Sequence, residues 1–183
     1  MLNRRQFLQQ AAALGAAGLA TPLLSSQAFA AESKGERTLH VYNIHTGEME
    51  AATFWADGHY VEEGLQALDL LVRDHRANQA IAMQTELYQH MYKLQQMFGD
   101  KQPMHIISGY RAPATNDYLR QVSNGVAKQS LHMEGRAVDI RIPGVAHSDL
   151  HKAALQLRNG GVGYYPKSGF VHIDTGRVRS WSA

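Results

Sequence analysis

The 183-residue chain contains no cysteine. Disulfide staples are therefore excluded, and a stable fold has to come from a packed apolar core. A surplus of one charge is missing too, once the first thirty residues are set aside. Arg4 and Arg5 are the only charged side chains there, so residues 31–183 hold 16 basic and 16 acidic groups. A balanced chain lacks the basic patch that nucleic-acid binding generally needs, so no nucleic-acid partner is expected. Long apolar runs are also absent. The stretch from Ala11 to Leu24 is the most apolar, and it falls short of the roughly 20 residues of a membrane span, so no permanent anchor is expected. Internal repeats, low-complexity tracts and interdomain linkers are not found. About 150 residues suffice for one domain with its own core.

What is present begins with a leader. Asn3-Arg4-Arg5-Gln6-Phe7-Leu8 is a positively charged start, the Ala/Gly/Leu-rich run follows, and Ala28-Phe29-Ala30 supplies small residues for a signal peptidase. Residues 1–30 are expected to be cleaved after Ala30. The Arg-Arg pair before Phe-Leu resembles a twin-arginine signal; an ordinary secretory leader is the alternative. Either reading exports residues 31–183, placing them in the periplasm of a bacterium.

Periodicity then outlines the domain. Thr38 to Tyr42 and Met49 to Trp55 read as strands about a turn at His45-Thr46-Gly47-Glu48. Val61, Leu65, Leu68, Leu71 and Val72 recur at helical spacing from about Tyr60 to Arg76, and Leu87, Met91 and Leu94 do so from Thr85 to Met97. Met104 to Ser108 is a short strand. A helix starts near Pro113 and ends by Gly125, and residues 126–135 form a loop. Arg136 to Ile142 alternates as a strand with Ala137, Asp139 and Arg141 on one face. A helix over Ser148 to Arg158 stops at Gly160-Gly161. Val162 to Tyr165 and Phe170 to Asp174 close as a hairpin about Pro166 to Gly169. Helices beside adjacent antiparallel strands predict a single α+β domain with a small antiparallel sheet.

Chemistry concentrates in Ser130-Leu131-His132-Met133-Glu134-Gly135-Arg136-Ala137-Val138-Asp139 and in Phe170-Val171-His172-Ile173-Asp174. Two histidines and an aspartate form a three-ligand set that leaves a fourth position open, as zinc hydrolysis requires; structural zinc usually closes its shell with four ligands. His132, Asp139 and His172 are the expected Zn2+ ligands. Alternation places Asp174 on the face of His172, where a carboxylate can orient a ligand or accept a proton. Asp174 could equally cap a turn through Thr175-Gly176. Trp55 and Trp181 read as packing residues, as do Tyr164 and Tyr165, although the tyrosines could line a groove.

With Ser-Gly-Tyr-Arg at 108–111, His-x(6)-Asp at 132–139 and Val-His-Ile-Asp at 171–174, the chain resembles the D-alanyl-D-alanine zinc metallopeptidases. These include VanX-like dipeptidases, phage L-alanyl-D-glutamate endopeptidases and penicillin-insensitive murein endopeptidases. Within the group it looks especially close to murein endopeptidases of enteric bacteria, through Asp74-His75-Arg76-Ala77-Asn78, Gly125-Val126-Ala127-Lys128 and Asn159 to Pro166. The resemblance implies a Hedgehog/DD-peptidase-like fold and a zinc endopeptidase that cuts peptidoglycan stem peptides, including links between two meso-diaminopimelate residues. It also implies that Arg111 stabilises the oxyanion or positions the scissile carbonyl.

One departure stands out. Several members carry an acid three residues before the last histidine ligand, or a His-x-His pair ending on it; here those positions hold Gly169 and Phe170. Asp174 is the expected substitute base, and Glu134 the second choice. Two other activities remain open: a D,D- or L,D-carboxypeptidase, and a non-catalytic zinc-containing peptidoglycan-binding domain.

Overall fold

The computed structural model describes residues 35–99, 102–123 and 126–183; the predicted leader, 1–30, lies outside them. Strand β1 (Arg37–Asn43) turns into β2 (Met49–Ala56) and the two-residue β3 (His59–Tyr60). Helices α1 (Glu62–Leu71) and α2 (Thr85–Phe98) lead to β4 (Met104–Ser108) and α3 (Pro113–Val122). A single 3-10 turn (Leu131–Glu134) precedes β5 (Ala137–Arg141). Helix α4 (His147–Leu157), then β6 (Gly161–Tyr165), β7 (Phe170–Asp174) and β8 (Arg179–Ser182), complete the domain.

The α+β class is as expected, but the sheet is neither small nor purely antiparallel. Eight strands run in the order β3-β2-β1-β4-β5-β7-β6-β8. The pairs β1·β4 and β6·β8 are parallel, and the other pairs are antiparallel. Alternation divides the sheet into two faces. Leu39, Val41, Phe54, Met104, Ile106, Val138, Ile140, Val171 and Ile173 join one cluster with Leu68, Leu71, Leu87, Met91, Leu94 and Leu150 from the helices. Burying each such side chain contributes roughly 1.5–3 kcal/mol, which lets the core replace disulfides. The intervening residues Asp139 and His172 project from the other face, directly opposite each other across β5 and β7.

Helix α1 is shorter than the predicted span, stopping at Leu71 rather than Arg76. The Asp74 carboxylate accepts the amides of Arg76 and Ala77, an Asx turn that competes with helix. Helix α4 ends earlier too: Arg158 adopts a left-handed φ of 51°, and Gly161 opens β6 instead of ending the helix.

Candidate metal centre

The first ligand position is built from the loop after β4. A β-bulge lets Ile106 face Ile140 while Ser108 faces Asp139, so the extra residue re-aims the chain end. Gly109 then passes so close to Val72 that a Cβ there would stand 2.1 Å from the Val72 carbonyl oxygen. Only glycine fits. In that position the Gly109 carbonyl accepts the Nδ1–H of His132 at 2.8 Å, and the Arg111 amide donates to the His132 carbonyl at 3.1 Å. The 3-10 turn bearing His132 is thereby fixed in place, and its ring is held in the tautomer that leaves Nε2 free as a donor to a metal.

Three donor atoms converge. His172 Nδ1 lies 2.8 Å from Asp139 Oδ1 and 3.2 Å from His132 Nε2, and His132 Nε2 lies 3.5 Å from Asp139 Oδ1. Tetrahedral zinc with ligands at its usual bond lengths needs donor–donor edges of about 3.3 Å, so the triangle matches. All three residues are buried, and they form the one group of three or more His, Cys, Asp or Glu side chains among the described residues placed to hold a metal ion.

Electrostatics follow from this crowding. Burial disfavours charge on His132 and lowers its pKa, partly offset by Asp139. Burial alone would lower His172 as well, but hydrogen bonds to Asp139 and Asp174 outweigh it and push the ring up to about 9. Burial would raise Asp139, yet the charges and hydrogen bonds of His132 and His172 hold it well below the usual carboxylate range. With no metal, His172 and Asp139 thus form a proton-filled pair that a cation would replace.

Asp174 stands behind this group. Its Oδ2 accepts from His172 Nε2 at 3.1 Å, on the ring edge away from the other two donors. The same carboxylate accepts from the Gly161 and Gly176 amides and takes Arg179 as a two-pronged partner at 2.7 and 3.0 Å. It is fully buried. The Gly176 bond means that Asp174 also caps the turn after β7, the second of the two readings made for it. Glu134 points elsewhere: it is exposed and pairs with Arg136 at 3.1 Å.

Arg111 reaches the site from the side. Its Nη2 lies 3.9 Å from Asp139 Oδ2, while Ser108 Oγ and Asn116 Oδ1 accept from the guanidinium at 3.3 and 3.4 Å. Burial lowers its pKa, with Asp139 the main opposing influence.

Over residues 31–181 the chain matches the family described as peptidoglycan L,D-endopeptidase MepK. It belongs to that family. The peptidoglycan L,D-endopeptidase MepK of Escherichia coli strain K12 is 46% identical over 180 residues, covering 98% of this chain and 97% of the relative. The protein of the same name from Shigella flexneri matches to the same extent. A probable peptidoglycan L,D-endopeptidase MepK of Haemophilus influenzae is 40% identical over 181 residues, 98% of this chain and 95% of the relative.

In this member of the MepK family the three donors sit in an open groove of about 770 Å³. Trp181, read from sequence as packing, lines that groove. Its ring lies 5.2 Å from that of His172 and rests on Gly163, where a Cβ would come within 2.6 Å of the indole. Tyr165 also lines the groove, stacked on Phe170 and accepting the Trp181 Nε1–H at 2.9 Å. Tyr164 faces the other way and stacks on His151. Arg179 and the groove position of Trp181 escaped sequence reasoning because β8 is only four residues long; Arg-x-Trp with period-2 spacing was the available signal.

Proposed function

We propose that this protein is a zinc-dependent murein endopeptidase that hydrolyses peptide cross-links in peptidoglycan, including links between two meso-diaminopimelate residues. The observation that carries this reading is the convergence of His132 Nε2, Asp139 Oδ1 and His172 Nδ1 within an open groove. Membership of the MepK family supports the choice of substrate. His132, Asp139 and His172 would hold the zinc: two neutral imidazoles and one carboxylate suit that ion, and the open groove leaves room for substrate. When bound, zinc supplies Lewis-acid polarisation and a nucleophilic water at neutral pH.

The protein's own residues do the rest. Arg111 brings a fixed positive charge to the groove side of Asp139, where negative charge develops on the scissile carbonyl oxygen. Asp174 orients His172 and strengthens it as a donor. Its oxygens are already taken by two amides, Arg179 and His172, so orientation fits it better than the base role. Trp181 and Tyr165 wall the groove with apolar surface for the aliphatic part of a stem peptide.

The reading includes export: the charged start, apolar run and Ala28-Phe29-Ala30 of residues 1–30 form the signal, twin-arginine in type, and residues 31–183 work in the periplasm. Among the described residues no helix is long and apolar enough to cross a membrane.

The deciding experiment is a digest of purified cross-linked muropeptides by residues 31–183, with and without chelator, followed by chromatography. Dimers should become monomers only when zinc is present. Release of a terminal residue from monomers would instead indicate a carboxypeptidase. Intact dimers with zinc bound would indicate the non-catalytic binding domain, which the glycine at position 169 favours.

A further inference from the structure

Asp74 is a buried carboxylate outside the metal centre, 2% exposed, in the segment that follows α1. Its Oδ1 accepts the amides of Arg76 at 2.9 Å and Ala77 at 3.2 Å. Its Oδ2 accepts the amide of Ala112 at 2.8 Å, and Thr115 lies close enough to help hold its pKa down. Burial alone would raise its pKa, but Thr115 and the three amides outweigh that and keep it below the ordinary value. One oxygen is thus anchored in its own turn, and the other grips the residue immediately after Arg111.

Neighbouring bonds extend the same clamp. The Val72 carbonyl accepts the Tyr110 amide at 2.8 Å, and Gly109 packs against Val72. Residues 72–77 therefore cradle residues 109–112. The guanidinium of Arg111, by contrast, has only long contacts, at 3.3, 3.4 and 3.9 Å. Contacts of that length are weak and add little to its placement. The place of the Arg111 charge is then decided mainly by where its backbone is held.

We propose that Asp74 is a positioning residue for Arg111, clamping the Arg111–Ala112 backbone so that the guanidinium stands beside Asp139 at the groove. The inference rests on the role given to Arg111 above. Asparagine cannot substitute, because its NH2 would face either the Arg76 and Ala77 amides or the Ala112 amide. Thr115→Val is a gentler cut, removing a hydroxyl beside the same carboxylate and no charge.

The test compares Asp74→Asn, Thr115→Val and Arg111→Lys with the double variant Asp74→Asn/Arg111→Lys. Zinc content, kcat and KM on cross-linked muropeptides are read for each. Asp74→Asn should keep its zinc yet lose about 30-fold in kcat/KM, mostly in kcat, on the scale of a disrupted buried charged hydrogen-bond set. In the Arg111→Lys background the further loss should stay below about threefold, because the two residues act as one unit. Thr115→Val should show a smaller loss with the same dependence on Arg111, and it carries the test if Asp74→Asn does not fold. A second readout needs neither metal nor turnover: the rate of phenylglyoxal modification at Arg111, followed by mass spectrometry, should rise several-fold in Asp74→Asn or Thr115→Val. Equal losses in both backgrounds, or unchanged Arg111 reactivity, would overturn the proposal. A wild-type protein that cuts no cross-link would refute the endopeptidase reading, while Arg111 reactivity would still decide the clamp.

Discussion

His172 is held between two carboxylates, with Asp139 2.8 Å from Nδ1 and Asp174 3.1 Å from Nε2. The first belongs to the donor triangle and the second lies outside it. Asp174→Asn should therefore weaken zinc binding by about 10- to 100-fold while leaving substantial turnover in zinc-saturated protein, as expected for a residue that orients a ligand. Competition with a fluorescent chelator, alongside activity in excess zinc, measures both. A loss of several orders of magnitude in kcat with full zinc affinity would restore Asp174 as the base.

The same pairing predicts a proton count. In the metal-free protein His172 titrates near 9, because hydrogen bonds to Asp139 and Asp174 outweigh its burial. Below that pH the ring carries an extra proton that zinc must displace. Loading at pH 7 should release about one proton, and apparent affinity should rise roughly tenfold per pH unit until the ring loses that proton unaided. Calorimetry in buffers of different ionisation enthalpy gives the number directly; zero release at pH 7 would contradict the assignment.

Gly109→Ala tests the loop that fixes His132. The new Cβ would meet the Val72 carbonyl oxygen and Cβ at 2.1 and 2.7 Å, and a backbone oxygen within the fold cannot swing aside as a flexible side chain does. Overpacking of this kind should cost about 1–3 kcal/mol in a denaturant titration. Zinc retention should fall with it, since the Gly109 carbonyl orients His132.

His90, on α2, gives a stability signal remote from turnover. It is fully buried, and neither ring nitrogen has a hydrogen-bond partner among the described residues. Burial, helped by Lys93, lowers its pKa from 6.5 to about 4, with Asp174 opposing. Above pH 6.5 the folded and unfolded chains are both neutral at this residue, so it adds no slope. Between 6.5 and 4 the unfolded chain takes a proton that the folded one refuses, so stability falls as pH falls. From pH 7 to 5 that loss is about 2 kcal/mol. Denaturant titrations at both pH values should show a drop smaller by that amount in His90→Leu than in wild type.

Much of the centre was legible in the chain. Strict alternation over residues 137–141 and 170–174 put Asp139 and His172 on polar faces, whereas the pairing of their two strands in register had no local signal. Helix α2 was readable because Leu87, Met91 and Leu94 repeat over fourteen residues. Sheet size was not readable, because β3 and β8 have two and four residues, too few to show a period. The parallel pairing of β1 with β4 joins segments sixty residues apart in sequence, and nothing local encodes it. Trp181 looked like a packing residue because the space it fills is made by the missing side chain of Gly163 on another strand. Asp74 accepts the amide two residues on, an Asx-turn signal that marks the end of α1.

The donors do not share one kind of support. Asp139 and His172 sit on β5 and β7, interior strands of the eight, whereas His132 rides on a single 3-10 turn. Strands held on both sides open only in large unfolding events, while a lone turn opens locally at far lower cost. Metal exchange would therefore have a direction built into it. An ion held by these donors would part first from His132 and last from the strand pair, leaving a two-ligand cup with a hinged third arm. Its lifetime in the protein would be governed by the turn at 131–134 and by the Gly109 carbonyl that latches it.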